Sequence, residues 1–209
     1  MRKLKFLVFF PLLAVLSGGA VRADTLSVPK MDPDKTVALF VSQRMFMEEA
    51  LRMVTRRLWS KRYTVAVVAP DTGLITGMDQ AVLRPNLALE DCKPDDFAAL
   101  VIINGAGITT LWQDSLLLDR CREFAEAGRI VGAIGIAGIC LADAGVLKDH
   151  EATILPDRRA VSRLLAGGAR YKESPVVADR NVITAKGTDQ AREFTDMLMK
   201  MLDRRRAQQ

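Results

Sequence analysis

The sequence predicts a single doubly wound α/β domain, in which a mostly parallel sheet carries helices on both faces. Short β-branched runs alternate with amphipathic segments over residues 35–203, the order that successive βαβ units produce. The runs are apolar along their whole length, as strands covered on both faces must be. No internal repeat, low-complexity tract or Pro/Gly/Ser linker interrupts them, and 209 residues suit one well-buried core better than two.

Residues 36–41 form the first expected strand. Met47, Leu51, Val54 and Leu58 then recur at helical spacing, with Glu48, Glu49, Arg52 and Arg56 on the other faces, so a helix is expected to about Lys61. Residues 63–69 form the second strand, stopped by Pro70. Two weaker β segments, at residues 74–75 and 81–84, surround Gly77, Met78 and Asp79 and suggest a small hairpin excursion. Residues 97–103 form the third main strand, which enters the turn Asn104-Gly105-Ala106-Gly107. A helix over residues 112–127 ends at Gly128, a residue suited to a helix C-terminus. After the strand at residues 130–134 the order is a strand near 152–155, a helix near 160–166, strands near 176–177 and 182–184, and a last helix over 190–202. Arg204, Arg205 and Arg206 are left as a solvated basic tail, residues 204–209.

The first 23 residues read as a secretory signal peptide. Arg2, Lys3 and Lys5 precede the apolar run from Phe6 to Leu16, and Val21-Arg22-Ala23 offers small residues for cleavage before Asp24. The run is shorter than the roughly 18 residues of a membrane span. An uncleaved N-terminal anchor is the rival reading. Export across an inner membrane, to a periplasm, is therefore expected, with residues 24–34 as an N-terminal extension and no membrane attachment after cleavage. Of 30 basic residues, four lie in this segment with no acid, leaving 26 against 25 acidic groups. Those basic residues are interleaved with acids, so no nucleic-acid footprint is expected.

Three cysteines are an odd number for an exported chain and do not suggest a disulfide framework. Cys121 and Cys140 fall among apolar neighbours and read as small buried hydrophobes, whereas Cys92 falls in a polar loop. The single histidine, His150, falls in an expected exposed loop, so neither metal nor cofactor is expected.

The stretch from Ile130 to Leu147 carries the most information about function. It reads as a buried strand turning directly into a helix, a corner that holds one residue in a strained conformation above the sheet edge. That residue is Gly135. Glycine accepts a positive φ without steric cost, but it has no atom that can attack a substrate. Ligands of doubly wound sheets bind beyond the carboxyl ends of the strands, where loops 43–45, 104–107 and 135–137 are expected to converge.

Four segments carry a resemblance. Ala99-Leu100-Val101-Ile102-Ile103-Asn104-Gly105 is similar to a strand running into a Pro-Gly-Gly turn, and residues 121–128 to the helix after it. Ala144-Gly145-Val146-Leu147-Lys148 is similar to the end of an elbow helix, and residues 176–185 to a late hairpin with an Asp-x-Asn turn. On these the chain resembles the ThiJ/PfpI superfamily of parkinsonism-associated protein deglycase-like proteins, related to class I glutamine amidotransferase domains, and the resemblance implies a flavodoxin-like fold. It also implies a nucleophilic cysteine at Gly135, a histidine at Ile136 and a pocket glutamate at Met47, all three of which this chain lacks. No catalytic residue is therefore assigned.

The remaining groups suit binding. By resemblance, Gly105, Ala106 and the amides after Gly135 correspond to an oxyanion hole; with Met47, Glu48 and Ile136 they are the candidate ligand-binding residues, for a small anionic or carbonyl ligand or a protein partner. A homodimer is implied by the same resemblance. The leading expectation is an exported pseudoenzyme. One alternative is a glyoxalase, hydratase or deglycase-type enzyme using Glu48 and water. Another is a chaperone-like protein exposing Met45, Phe46 and Met47. Glu48 discriminates: turned to Gly135 it favours the enzyme, whereas turned to solvent or paired with Arg52 at i+4, the expected arrangement, it favours binding.

Overall fold

The structure, a computed structural model, describes residues 32–208. The expected signal peptide and residues 24–31 of the expected extension lie outside the described residues.

A seven-stranded sheet forms the centre. Its members in chain order are β1 (Thr36–Phe40), β3 (Thr64–Ala69), β6 (Leu87–Ala88), β7 (Ala99–Ile102), β8 (Ile130–Ile134), β11 (Val176–Asp179) and β12 (Val182–Ala185). Their spatial order is β11-β12-β8-β7-β1-β3-β6. All neighbours are parallel except β11 and β12, which form an antiparallel hairpin. The direction of winding reverses beside β1, the place where such sheets open a crevice at their carboxyl edge.

Alternate strand residues face opposite layers. Val37 and Leu39 join Leu51, Val54, Leu58, Phe194 and Leu198 beneath α1 (Glu48–Ser60) and α5 (Ala191–Ala207). Ala38 and Phe40 join Leu117, Cys121, Phe124, Leu141 and Leu164 beneath α2 (Ser115–Glu126), α3 (Gly138–Asp143) and α4 (Arg158–Ala166). Both sheet faces are therefore covered, as the continuous apolar runs require. The expected mostly parallel, flavodoxin-like single domain is the architecture found.

Two small sheets decorate this frame. β2 (Arg44–Phe46), β4 (Ile75–Gly77) and β5 (Val82–Leu83) form one, realising the expected hairpin excursion and adding β2 to it. β9 (Glu151–Ala152) and β10 (Arg170–Tyr171) form the other. Helix α2 starts later than expected because the Asp114 carboxylate accepts the Leu117 N–H at 2.9 Å and fixes the N-terminus there. Residues 106–111 instead wind as a short 3₁₀ helix.

The expected basic tail is also corrected. Arg204, Arg205 and Arg206 lie in the last turn of α5, where cations oppose the helix dipole. Arg205 and Arg129 each approach Asp34 at 3.5 Å, which ties the end of α5 to the segment entering β1.

Candidate functional site

Strand β8 is buried along its whole length and ends at Gly135, whose φ is +63°. A 3₁₀ turn over residues 135–137 leads into α3. The elbow expected from the sequence is thus present, with glycine in the left-handed conformation that favours it.

The turn after β7 approaches the elbow from the side. A Cβ placed on Gly135 would lie 2.7 Å from Asn104 Nδ2 and 2.9 Å from Asn104 Cγ. The Asn104 carboxamide therefore covers the space that a side chain at the elbow would take. Its Oδ1 is buried and has no hydrogen-bond partner. The Asn104 backbone carbonyl accepts the Met47 N–H at 2.8 Å, joining this turn to the start of α1.

Backbone crowding explains the glycines of the turn. Gly105 has φ +154°, and a Cβ there would press on the Met45 carbonyl and lie 2.6 Å from Phe46 Cα. At Gly107 a Cβ would overlap the Arg44 carbonyl. Strand β2 lies directly on these two glycines, and Met45 itself is held at φ +56°. The three loops expected to converge at the carboxyl edge do converge. Met47 and Gly105 meet Gly135 around Asn104, while Ala106 and Ile136 stand on two flanking 3₁₀ turns that pack together. Ala106 is exposed, and Met47 and Ile136 are half-buried.

Glu48 does not join them. Its Oε1 accepts the backbone N–H of Asp79 at 2.7 Å and of Ala81 at 3.2 Å. The carboxylate lies against Gly77, where any Cβ would overlap it. The expected pair with Arg52 is not formed among the described residues, because two amides of the β4–β5 hairpin hold the carboxylate more tightly than an exposed i,i+4 cation does.

Three further expectations are corrected or refined. Cys92 does fall in a polar connection, between the turns Leu89–Asp91 and Pro94–Asp96, but its side chain is fully buried in the core, and burial pushes its thiol up to about 12. Burial likewise raises Cys140 to about 12 and Cys121 well above its ordinary value. His150 is buried at 8% exposure rather than solvated. Its Nδ1 lies 3.2 Å from the Asp179 carbonyl oxygen, and it borders a cavity of about 330 Å³ with Arg122 and Asn181. Lastly, Phe46 is fully buried and Met47 half-buried, so the expected patch Met45-Phe46-Met47 reduces to Met45. Leu74, Met78 and Val82, all on the β2–β4–β5 excursion or its turns, are the other large exposed apolar side chains of that region.

Asn104 is the residue that sequence reasoning passed over. Its signal is a polar side chain standing where the resembled turn carries proline. Chemically, the assembled site offers backbone amides, an unpaired carboxamide oxygen and apolar walls. Among the described residues it brings no thiol, imidazole or carboxylate to the elbow. Among the described residues no group of three or more His, Cys, Asp or Glu is placed to hold a metal ion.

A doubly wound sheet with a positive-φ residue at a strand-to-helix elbow defines an α/β protein of the elbow-bearing kind. The DJ-1/PfpI family matches residues 35–201, and the chain belongs to it. An uncharacterized protein of Methanocaldococcus jannaschii is 33% identical over 169 residues, covering 80% of this chain and 82% of the relative. Deglycase PfpI of Pyrococcus furiosus is 25% identical over 148 residues, covering 71% and 88% respectively. Among solved structures, a ThiJ/PfpI domain protein from Brachyspira murdochii superposes with TM-score 0.77 at 23% identity, over 81% of this chain and 96% of that one. Schizosaccharomyces pombe DJ-1 superposes with TM-score 0.70 at 21% identity, over 79% and 90%. These superpositions speak for the fold alone.

Proposed function

We infer that this chain is an exported, non-catalytic member of the DJ-1/PfpI family that works by binding. The observation that carries the reading is the elbow itself: Gly135 supplies no nucleophile, and the Asn104 carboxamide covers the space above it. The deglycase name of several relatives does not transfer on this ground, since the resemblance ties that chemistry to a thiol at the elbow. Cys140 offers no substitute, because it is buried with its thiol pushed up to about 12. Against the enzyme alternative, Glu48 Oε1 accepts two hairpin amides rather than turning to Gly135, while its Oε2 is buried with no hydrogen-bond partner among the described residues.

Binding then falls to the elbow rim and its neighbours. Met45, Leu74, Met78 and Val82 expose apolar surface beside it, which suits a second copy of the chain or another protein. A chaperone-like role uses the same surface less selectively. The amides of Gly105 and Ala106 remain candidates for a small anionic or carbonyl ligand.

The test is methylglyoxal turnover by the purified protein before and after alkylation of all three cysteines under mild denaturation and refolding. No turnover above background is expected in either sample; robust turnover abolished by alkylation would sink the reading. Export rests on the basic residues, apolar run and cleavage site of residues 1–23. Protein recovered outside the cytoplasm should begin at Asp24 and sediment as a dimer. A full-length cytoplasmic monomer would overturn both of those proposals.

A further inference from the structure

At the opposite end of the sheet from the elbow, where β1 and β3 begin, a cleft of about 570 Å³ opens between the end of α1 and the second half of α5. Six cations line it: Lys35, Arg57, Lys61, Arg62, Lys200 and Arg206. In sequence they are interleaved with acids, and only the fold gathers them. Two carboxylates share the cleft, and both are engaged. Arg57 Nε donates to Asp196 at 2.5 Å. The Tyr63 hydroxyl donates to Asp203 at 2.6 Å, and Arg206 lies 3.9 Å from the same oxygen. Among the described residues Lys61, Arg62 and Lys200 close no ion pair with a carboxylate.

The helix dipole explains part of this charge. Arg57 and Lys61 stand at the C-terminus of α1 and Arg206 at that of α5, where cations are favoured. It does not explain Lys35, which precedes β1 and lies 4.0 Å from the Asp32 carboxylate, or Lys200, in the interior of α5. Nor does it account for the backbone conformation of Arg62. That residue follows the C-cap of α1 with φ +64°, a left-handed position where glycine is the default. An arginine held there against its conformational preference points to a use for its charge.

We propose that this cleft binds a phosphate-bearing anion. Uncompensated like charges repel across a concave surface, and a multivalent anion relieves that repulsion. Phosphate matches the need better than a carboxylate because it carries more charge and more acceptor oxygens, and guanidinium forks engage it in pairs. Two sources offer this group: a soluble phosphate ester and a phospholipid headgroup. The proposal is independent of the elbow and survives or fails separately from the binding role inferred there.

The protein beginning at Asp24 is titrated with inorganic pyrophosphate at low ionic strength by calorimetry, and in parallel floated with phosphatidylglycerol or phosphatidylcholine vesicles. Pyrophosphate affinity is expected to fall with added salt, and by at least about tenfold in Lys61→Ala/Lys200→Ala, given the strength of charged hydrogen bonds. Arg62→Gly separates function from folding: it should raise the unfolding midpoint by relieving the left-handed strain while weakening the anion. Binding of pyrophosphate alone supports a soluble ester. Charge-dependent retention on phosphatidylglycerol that the same variants reduce, without retention on phosphatidylcholine, supports a headgroup. If neither probe binds, or binding is unchanged in all three substitutions, the proposal is wrong.

Discussion

At Gly135 two obstacles to a side chain coincide. The backbone sits at φ +63°, a conformation that costs a non-glycine residue about 1–3 kcal/mol. In addition, a Cβ would lie 2.7 Å from the Asn104 amide nitrogen, closer than a van der Waals contact allows. Gly135→Ala is therefore expected to destabilise the fold by about 1–3 kcal/mol, read as a lower denaturant midpoint. Asn104→Ala removes the second obstacle and leaves the first. In the double variant the two effects should fail to add, with a coupling of about 0.5 kcal/mol or more. Strict additivity would show that Asn104 does not occupy the elbow. The same geometry bears on Gly135→Cys, which the sequence alone admits as fitting the corner: the thiol has to displace Asn104 first, and it meets no imidazole or carboxylate to activate it.

Among the elements, the β4–β5 hairpin depends on a side chain that belongs to α1. Glu48 reaches two hairpin amides, and Gly77 is small so that the carboxylate fits. Glu48→Ala should loosen the hairpin by about 1–3 kcal/mol, the range for hydrogen bonds to a charged group. Hydrogen exchange at Asp79 and Ala81 should accelerate while β1 and β7 amides keep their protection. Acceleration spread evenly over the sheet would argue against a local clasp. Contacts of this kind explain what the sequence leaves unread. Long apolar runs such as residues 64–69 and 130–134 declare themselves, and so do helices with a full apolar stripe such as α1. β2, β6 and β10 have two or three residues each, too few for any period to emerge. The partner of Glu48 lies about thirty positions away, so local spacing favours the wrong neighbour, Arg52. The elbow was legible because one glycine at a strand-to-helix junction is a local signal. Its occupant was not, since Asn104 meets Gly135 only through the pairing of β7 with β8.

For the molecule as a whole, the chain has one histidine, so the response of global stability to pH near neutrality falls largely on a single side chain. His150 links the loop after α3 to the β11–β12 hairpin through the Asp179 carbonyl, and its ring lies 3.5 Å from the Asp179 carboxylate. Burial, together with the charge of Arg180, lowers its pKa below the ordinary 6.5 and outweighs the opposing pull of Asp179. The folded protein therefore holds a neutral imidazole where the unfolded chain already binds a proton. Stability is then complete above pH 6.5, falls as the pH drops below that value, and levels off once the pH passes the folded pKa. The cysteines add nothing in this window, since burial raises all three. Asp179 enters only at lower pH, because the Glu151 N–H, first among its partners, holds its carboxyl below the usual range. Denaturant midpoints measured from about pH 7.5 to 5.5 should decline in the wild type and stay nearly flat in His150→Gln, which cannot titrate. An equal decline in the two proteins would mean that another group controls the transition and that the ring of His150 is already solvated in the folded state.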